Sequence, residues 1–160
     1  MSSERDTRWM SQALAAAREA PSSADVPVGA VIVRSGTAIA TASNRTVRDQ
    51  DPTAHAEVLA IRAAARTLGS WRLEGCSLYV TLEPCAMCAG AIVLARLDRV
   101  IFGAWDEKAG MAGSIADLLR HPKLNHRPEV LGGISELESR ELLQLFFAER
   151  RVPSAEPRSE

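Results

Sequence analysis

Hydrophobic positions along the chain follow two different periods, which predicts helices interleaved with strands. Trp9, Ala13, Leu14 and Ala17 recur at helical spacing and predict a first helix over residues 8–20. Further helical patterns follow the strands described next, at 53–67, 85–97, 115–121 and 135–151.

Short runs of small and β-branched residues predict five strands. The runs "VPVGAVIV" (26–33) and "TAIATASN" (37–44) flank the turn "RSG" and indicate a hairpin. Three later runs have the same character, at 77–82, 99–104 and 129–133. A hairpin followed by alternating helices and strands implies a mixed five-stranded sheet with helices on both faces, an α/β fold with three α/β/α layers.

Two helix starts carry sequence signals of their own. Asp51, followed by Pro52, is the expected N-cap of the second long helix. Ser135 and Glu138 have the spacing of a capping box at the start of the last helix. Among the tryptophans, Trp9 and Trp71 are expected in the core or an interface, and Trp105 is left open between packing and stacking on a ligand.

Composition describes an ordinary globular chain. The 160 residues predict one domain over 1–151, followed by a disordered tail at 152–160, with 46% hydrophobic and 24% charged residues. No apolar run reaches the roughly 20 residues of a membrane helix, and the charged N-terminus lacks a signal peptide's apolar middle, so we expect no membrane partner and a cytoplasmic protein. The net charge of −1 gives no general attraction for a polyanion, so any nucleic acid would need a local basic patch.

Two short segments suggest a metal site. In "EPCAMC" (83–88), Cys85 and Cys88 are three residues apart at a helix start, so their sulfur atoms share a face. Two thiolates with the imidazole of His55 suit Zn²⁺. His55 and Glu57 stand two residues apart, which does not suit a metal held along a helix but does suit one held over its N-terminal end.

The site is predicted to be catalytic, because three protein ligands leave one position for water. The third cysteine, Cys76, precedes the strand whose far end leads to Cys85, so it is expected to be a buried apolar residue and not a fourth ligand. Taken separately, the two segments allow three simpler interpretations: a redox C-x-x-C pair, a structural zinc ribbon, and a solvated first turn at "HAE". The combination of both segments, each opening a helix, favours the metal site over all three.

The combined pattern resembles the zinc-deaminase signature, and the resemblance extends over residues 8–151 to bacterial tRNA-specific adenosine deaminases. It is carried by "VPVGAVIV", "NR", "DPTAHAE", "LYVTLEPCAMCAGAI", "RVIFGA", "AGS" and "NHR". The resemblance implies the cytidine-deaminase-like fold, one zinc per subunit, and a homodimer whose active sites border the partner subunit. It also implies hydrolytic deamination of the wobble adenosine of a tRNA to inosine, in which a zinc-bound hydroxide attacks adenine C6.

Individual roles follow from the same resemblance. The zinc ligands would be His55, Cys85 and Cys88, and Glu57 would carry the protons. Five residues are expected to contact the tRNA anticodon arm. Asn44 would contact the flipped purine, and Asp106 and Lys108 would lie on the loop lining the anticodon pocket. Phe147 and Arg150, on the last helix, would touch flanking nucleotides. The chain differs from the common family pattern at Thr46, Trp105 and Ala148.

Two other functions are alternatives to the tRNA reaction. One is deamination of a free base or nucleoside, such as cytosine or guanine, by the same zinc chemistry. The other is a zinc-binding interaction module without catalysis, which the presence of Glu57 and the missing fourth ligand disfavour. The segment "FFAERR" near the chain end resembles the RNA-contacting helix of the tRNA family and favours the tRNA reaction.

Overall fold

The computed structural model describes residues 2–150, so the predicted tail at 152–160 lies outside the described residues. Four helices and five strands make up the fold. The helices are α1 (Ser2–Ala17), α2 (Ala56–Leu68), α3 (Ala86–Ala95) and α4 (Glu136–Arg150), and a short 3₁₀ turn occupies Ala20–Ser23. The strands are β1 (Gly29–Arg34), β2 (Thr37–Ser43), β3 (Cys76–Leu82), β4 (Arg99–Ala104) and β5 (Glu129–Leu131).

The five strands form one mixed sheet in the order β2-β1-β3-β4-β5. Strand β1 runs antiparallel to both β2 and β3, whereas β3, β4 and β5 are mutually parallel. The predicted mixed five-stranded sheet is therefore confirmed. Because β3 and β4 are parallel neighbours, their carboxyl ends open on the same edge, which is where ligands usually bind in such sheets.

Alternating side chains of the central strands face two separate apolar layers. On one face, Ile32, Leu78 and Val100 pack against α2 and α3, and on the other Val31, Tyr79 and Ile101 pack against α1. Leu142 of α4 joins the α1 side. The helices therefore cover both faces, as the three-layer prediction requires. The core side of α2 consists of alanines, at 56, 60 and 64, which lets that helix lie close to the sheet.

Several predicted boundaries were wrong. The first helix begins at Ser2 and ends at Ala17, earlier at both ends than the 8–20 prediction. The predicted helix at 115–121 does not form, and an isolated bridge joins Ala112 to Asp117 there.

The two tryptophans expected in the core or an interface differ in burial. Trp71 is 62% exposed and is not part of this chain's core, whereas Trp9 is buried.

The two predicted helix caps were also wrong. The Asp51 carboxylate accepts hydrogen bonds of 2.8 Å from both the backbone N–H and the hydroxyl of Thr53, and it stabilises a turn well before α2 begins at Ala56. Ser135 has a positive φ of 55°, whereas an N-cap residue has an extended backbone, so the expected capping box is not formed. At Asp51 a local side chain-to-backbone turn takes the place of the helix start that the sequence pattern suggested.

A buried polar cluster fixes α1 to the sheet on the side away from the carboxyl ends of β3 and β4. The hydroxyl of Tyr79 donates to the Asp6 carboxylate at 2.7 Å, and Arg99 pairs with the same carboxylate at 3.3 Å. Asp6 and Tyr79 are both buried. Burial, followed by the hydrogen bond to Asp6, raises the pKa of Tyr79 from 10.0 to about 12.

Among the described helices, none is both long enough and apolar enough to cross a bilayer.

We expect the Tyr79 phenol to make stability pH-dependent in the alkaline range. The raised folded-state pKa means that its contribution is complete below pH 10 and is lost between about pH 10 and 12, a change of roughly 2–3 kcal/mol in the free energy of unfolding. Tyr79 is the single tyrosine, so ultraviolet absorbance of tyrosinate reports its pKa directly. A pKa near 10 in the folded protein would contradict this, and Tyr79→Phe should remove the corresponding part of the alkaline loss.

Candidate metal centre and substrate cavity

The two predicted metal-binding segments meet at the N-terminal ends of α2 and α3. His55 directly precedes α2 and Cys85 directly precedes α3, both with extended backbones (ψ 149° and 178°). Cys88 lies in the first turn of α3 and is buried. Neither His55 nor Cys85 caps its own helix with its side chain, so both side chains are available to a ligand.

The three side chains have the spacing of a metal site. The Nδ1 atom of His55 lies 3.6 Å from the Cys85 sulfur and 3.5 Å from the Cys88 sulfur, and all three donor atoms lie within 4.8 Å of one another. Tetrahedral Zn²⁺ with its usual bond lengths would separate nitrogen and sulfur ligands by about 3.6 Å. The group therefore fits one Zn²⁺ with a fourth position open to the cavity.

Proton sharing between the two thiols also suits a cation site. A hydrogen bond from Cys88 lowers the pKa of Cys85 to about 3, and the same contact together with burial raises the pKa of Cys88. The hydrogen bond with Cys85 raises the pKa of His55. These shifts favour the thiolate form of Cys85, and binding of a metal would release the remaining thiol proton.

Glu57 lies beside this group but outside it. Its carboxyl is buried in the first turn of α2, close to Cys88, and it lines the same cavity as His55 and Cys85. Burial raises the pKa of Glu57 above its usual value. A carboxyl with a raised pKa next to a metal position is suited to accept and return protons.

Asn44, predicted to contact a base, has a second role that the sequence did not suggest. Its Oδ1 accepts a 2.8 Å hydrogen bond from the N–H of Ala56, the first residue of α2. Asn44 thus satisfies the helix start that Asp51 was expected to cap. Because the oxygen faces this donor, the Nδ2 group is the part of the amide that can donate into the cavity.

The cavity in front of this group has a volume of about 840 Å³, within the range typical of small-molecule sites. Seven of the nine predicted site residues line it: Asn44, His55, Glu57, Cys85, Asp106, Lys108 and Phe147. Cys88 is buried behind the wall. The guanidinium of Arg150 lies 3.6 Å from the Phe146 ring and is not part of the cavity wall, so its contact with a flanking nucleotide stays a prediction.

Four of the other wall residues, none of them predicted as a site residue, add aromatic or charged side chains to the cavity. Trp105, which the sequence left open, is 45% exposed at the cavity and packs edge-on against Phe102. Asp25 and Glu83 are buried carboxylates in the wall, and Arg140 of α4 supplies a cation. Glu83 stands two residues before Cys85 at the end of β3, a position that could have marked it, whereas Asp25 and Arg140 have no local sequence signal.

Several of the acidic groups in the wall accept hydrogen bonds from backbone amides. Asp25 accepts hydrogen bonds from the N–H groups of Val47 and Arg48 at 2.7 and 3.1 Å. Asp106 accepts from Lys108 and Ala109 at 3.1 and 3.2 Å. These carboxylates therefore shape the two loops that border the cavity and are less available to repel an anionic ligand.

Comparison with known proteins identifies the family. The family described as the cytidine and deoxycytidylate deaminase zinc-binding region matches residues 3–104. A tRNA-specific adenosine deaminase of Bacillus subtilis is 47% identical over 147 residues, covering 92% of this chain and 91% of the relative. The chain belongs to the tRNA-specific adenosine deaminase family. The predicted relationship and the zinc cofactor are thereby confirmed.

Solved structures of similar proteins agree with the fold. A tRNA:A34 deaminase, studied for A-to-I editing at the wobble position of transfer RNA, superimposes with a TM-score of 0.83 at 47% identity, covering 86% of this chain and 99% of the other. A guanine deaminase from Bacillus subtilis is less similar, with 35% identity and a TM-score of 0.59 over 94% of this chain and 96% of the other. The tRNA deaminase is thus the nearer of these two in both sequence and structure.

Replacing Cys88 tests the metal group. We expect Cys88→Ala to lose zinc and, because metal binding stabilises the folded state, to unfold at lower temperature than the parent protein. Cys76→Ala is the matched control, because Cys76 is also buried but lies at the far end of β3. Full zinc occupancy in Cys88→Ala, measured by metal analysis, would rule out the ligand assignment.

Proposed function

We propose that this protein hydrolyses the wobble adenosine of a tRNA to inosine, with release of ammonia. The observation that carries the proposal is a His–Cys–Cys group with an open position, beside a buried glutamate, in a chain 47% identical to a tRNA-specific adenosine deaminase. Since its substrate is tRNA, we also expect a cytoplasmic location.

The metal group and Glu57 would divide the chemistry between them. Zinc held by His55, Cys85 and Cys88 supplies Lewis-acid activation of water. Glu57 takes the proton from the attacking water and delivers it to N1 of the adenine, which allows C6 to become tetrahedral. Glu57 then carries the proton of the new C6 hydroxyl to the amino group, which leaves as ammonia, so one water is consumed and no other reactant is needed.

The cavity would hold the adenine after it leaves the stack of anticodon bases. Nucleobase deaminases act on single-stranded or flipped nucleotides, because the target atom cannot be reached inside a stack. The Nδ2 group of Asn44 is a donor for an acceptor atom on the purine, since its oxygen is bonded to Ala56. Val26, Val28 and Leu82 supply the apolar part of the wall.

Contacts with the surrounding RNA would come from the loop at 105–114, which follows β4, and from α4. Lys108 lines the cavity as a cation for a phosphate, and Asp106 fixes the turn that presents it. Phe147 is 43% exposed in the wall and offers a ring on which a neighbouring base can stack. Arg150, one turn further along α4, would contact the backbone of a flanking nucleotide.

One substrate panel tests this proposal against the free-base alternative. We expect an anticodon stem-loop with adenosine at the wobble position to yield inosine, and free adenosine, cytosine and guanine to remain unchanged. The same stem-loop with guanosine at that position is the matched control. Faster deamination of a free base, guanine in particular, would overturn the proposal in favour of the alternative.

Glu57→Gln tests the proton carrier in the same assay. We expect it to retain zinc, because Glu57 is not one of the ligands, and to lose turnover by roughly 10²–10⁴-fold. Zinc content by metal analysis and inosine formation by mass spectrometry measure the two effects separately. Turnover close to that of the parent protein would remove Glu57 from the mechanism.

We further propose that the protein is a homodimer through the outer face of α3. The helix has no charged residue, and its outward positions Gly90, Ala91 and Leu94 are apolar as well. Leu94 is 70% exposed. A helix that is apolar all round is normally buried, so this face is expected to be covered, and the family resemblance makes a second copy of the chain the occupant.

Leu94→Glu tests the dimer. We expect the variant to sediment as a monomer, because two buried charges would face each other across a symmetric interface. Leu145→Glu is the matched control, since Leu145 is 60% exposed on α4 and should leave the dimer intact. Equal sedimentation of the parent protein and Leu94→Glu would contradict this interface.

A further inference from the structure

Glu83 is the most completely bonded acidic side chain of the cavity wall. Its Oε1 accepts from the N–H of Asp106 at 2.9 Å and from the hydroxyl of Ser114. Its Oε2 accepts from the N–H groups of Ala112 and Ser114, both at 3.0 Å. The residue is 2% exposed. All four partners therefore belong to one segment, 105–114, which we call the pocket loop.

The pocket loop depends on this carboxylate for its shape. Its N–H groups at both ends converge on Glu83, and a Cβ atom on Gly110 would overlap the carboxyl carbon. The neighbouring Pro84 adds a hydrogen bond of 2.8 Å from the N–H of Met111. Because charge-assisted hydrogen bonds are about twice as strong as neutral ones, Glu83 dominates the contacts that hold the loop.

The loop held in this way carries part of the substrate cavity. Trp105, Asp106 and Lys108 all line the cavity, and none of them belongs to the metal group. Glu83 also lies at the end of β3, two residues before Cys85. One short segment thus places a metal ligand on one side and the substrate wall on the other.

We propose that Glu83 is a positioning residue that sets substrate affinity by holding the pocket loop against the metal-binding segment. It acts through the loop, because both of its oxygen atoms are already bonded and its side chain is buried. The expected effect on substrate affinity rests on the proposed function. The role of Glu83 in holding the loop does not.

Glu83→Gln is the sharpest change, because it keeps the size of the side chain. All four bonds run from a donor to a carboxylate oxygen, so whichever way it turns the amide NH₂ faces either the backbone N–H of Asp106 or those of Ala112 and Ser114. The loop then loses one acceptor atom, with the backbone hydrogen bonds that this atom accepted, and the negative charge that strengthens the others. Glu74→Gln is the matched control, since Glu74 is an exposed glutamate just before the opposite end of β3.

Three measurements on the full-length, zinc-loaded protein decide the matter. In Glu83→Gln we expect the zinc content to be unchanged and backbone hydrogen exchange in 105–114 to be roughly tenfold faster or more. With the wobble-adenosine stem-loop as substrate, we expect KM to rise about tenfold or more and kcat to fall much less. Glu74→Gln should match the parent protein in all three.

Two results would overturn the proposal: unchanged exchange in the pocket loop, or a loss confined to kcat with KM unaltered. If Glu83→Gln fails to fold, Ser114→Ala removes one of the four donors and should speed exchange in the same segment by a few-fold. An unchanged loop in that variant would count equally against Glu83. If the parent protein deaminates none of the substrates, the proposed function is overturned. Hydrogen exchange needs no substrate, so it still tests whether Glu83 holds the pocket loop.

Discussion

The convergence of two helix N-termini on one metal is the constraint on which the rest of the molecule depends. His55 and Cys85 precede α2 and α3, and the two helices lie side by side on one face of the sheet because their core sides are small and apolar. The alanines of α2 allow this close approach. A larger side chain at Ala60 or Ala64 would displace His55 and Glu57 together, because the position of α2 determines where both residues lie.

Around this centre, polar side chains fix the walls by binding backbone amides. Asn44 holds the start of α2, Asp25 holds the loop after β2, and Glu83 holds the pocket loop. Each of these side chains has little conformational freedom, because it already accepts hydrogen bonds from the backbone. A site built in this way is preorganised: the groups facing the substrate need little rearrangement when it binds.

The fold class and metal group could be predicted from sequence because both depend on local patterns. Short runs of apolar and β-branched residues in "VPVGAVIV" and "SLYVTL" predicted strands, and the positions of His55, Cys85 and Cys88 at helix starts predicted a common centre. The helix caps could not be predicted, since the α2 cap comes from Asn44, twelve residues before Ala56 and at the end of another strand. Asp25 and Glu83 were missed for the same reason: their partners lie 22 to 31 residues away.

With a net charge of −1 on the chain, the proposed binding of tRNA would depend on local charge and not on net charge. At the cavity, Asp25, Glu83 and Asp106 are engaged with backbone amides, whose positive ends offset their charge. Lys108 and Arg140 are the cations of the wall, and Arg140 is only loosely paired with Glu136, at 3.6 Å. Because each phosphate contact contributes a slope of somewhat less than one to the salt dependence of binding, contacts from these two residues and from Arg150 would give a modest slope. Most of the affinity would then come from the enclosed base and from stacking on Phe147, which makes the shape of the pocket loop matter more to substrate choice than the charge of the surface.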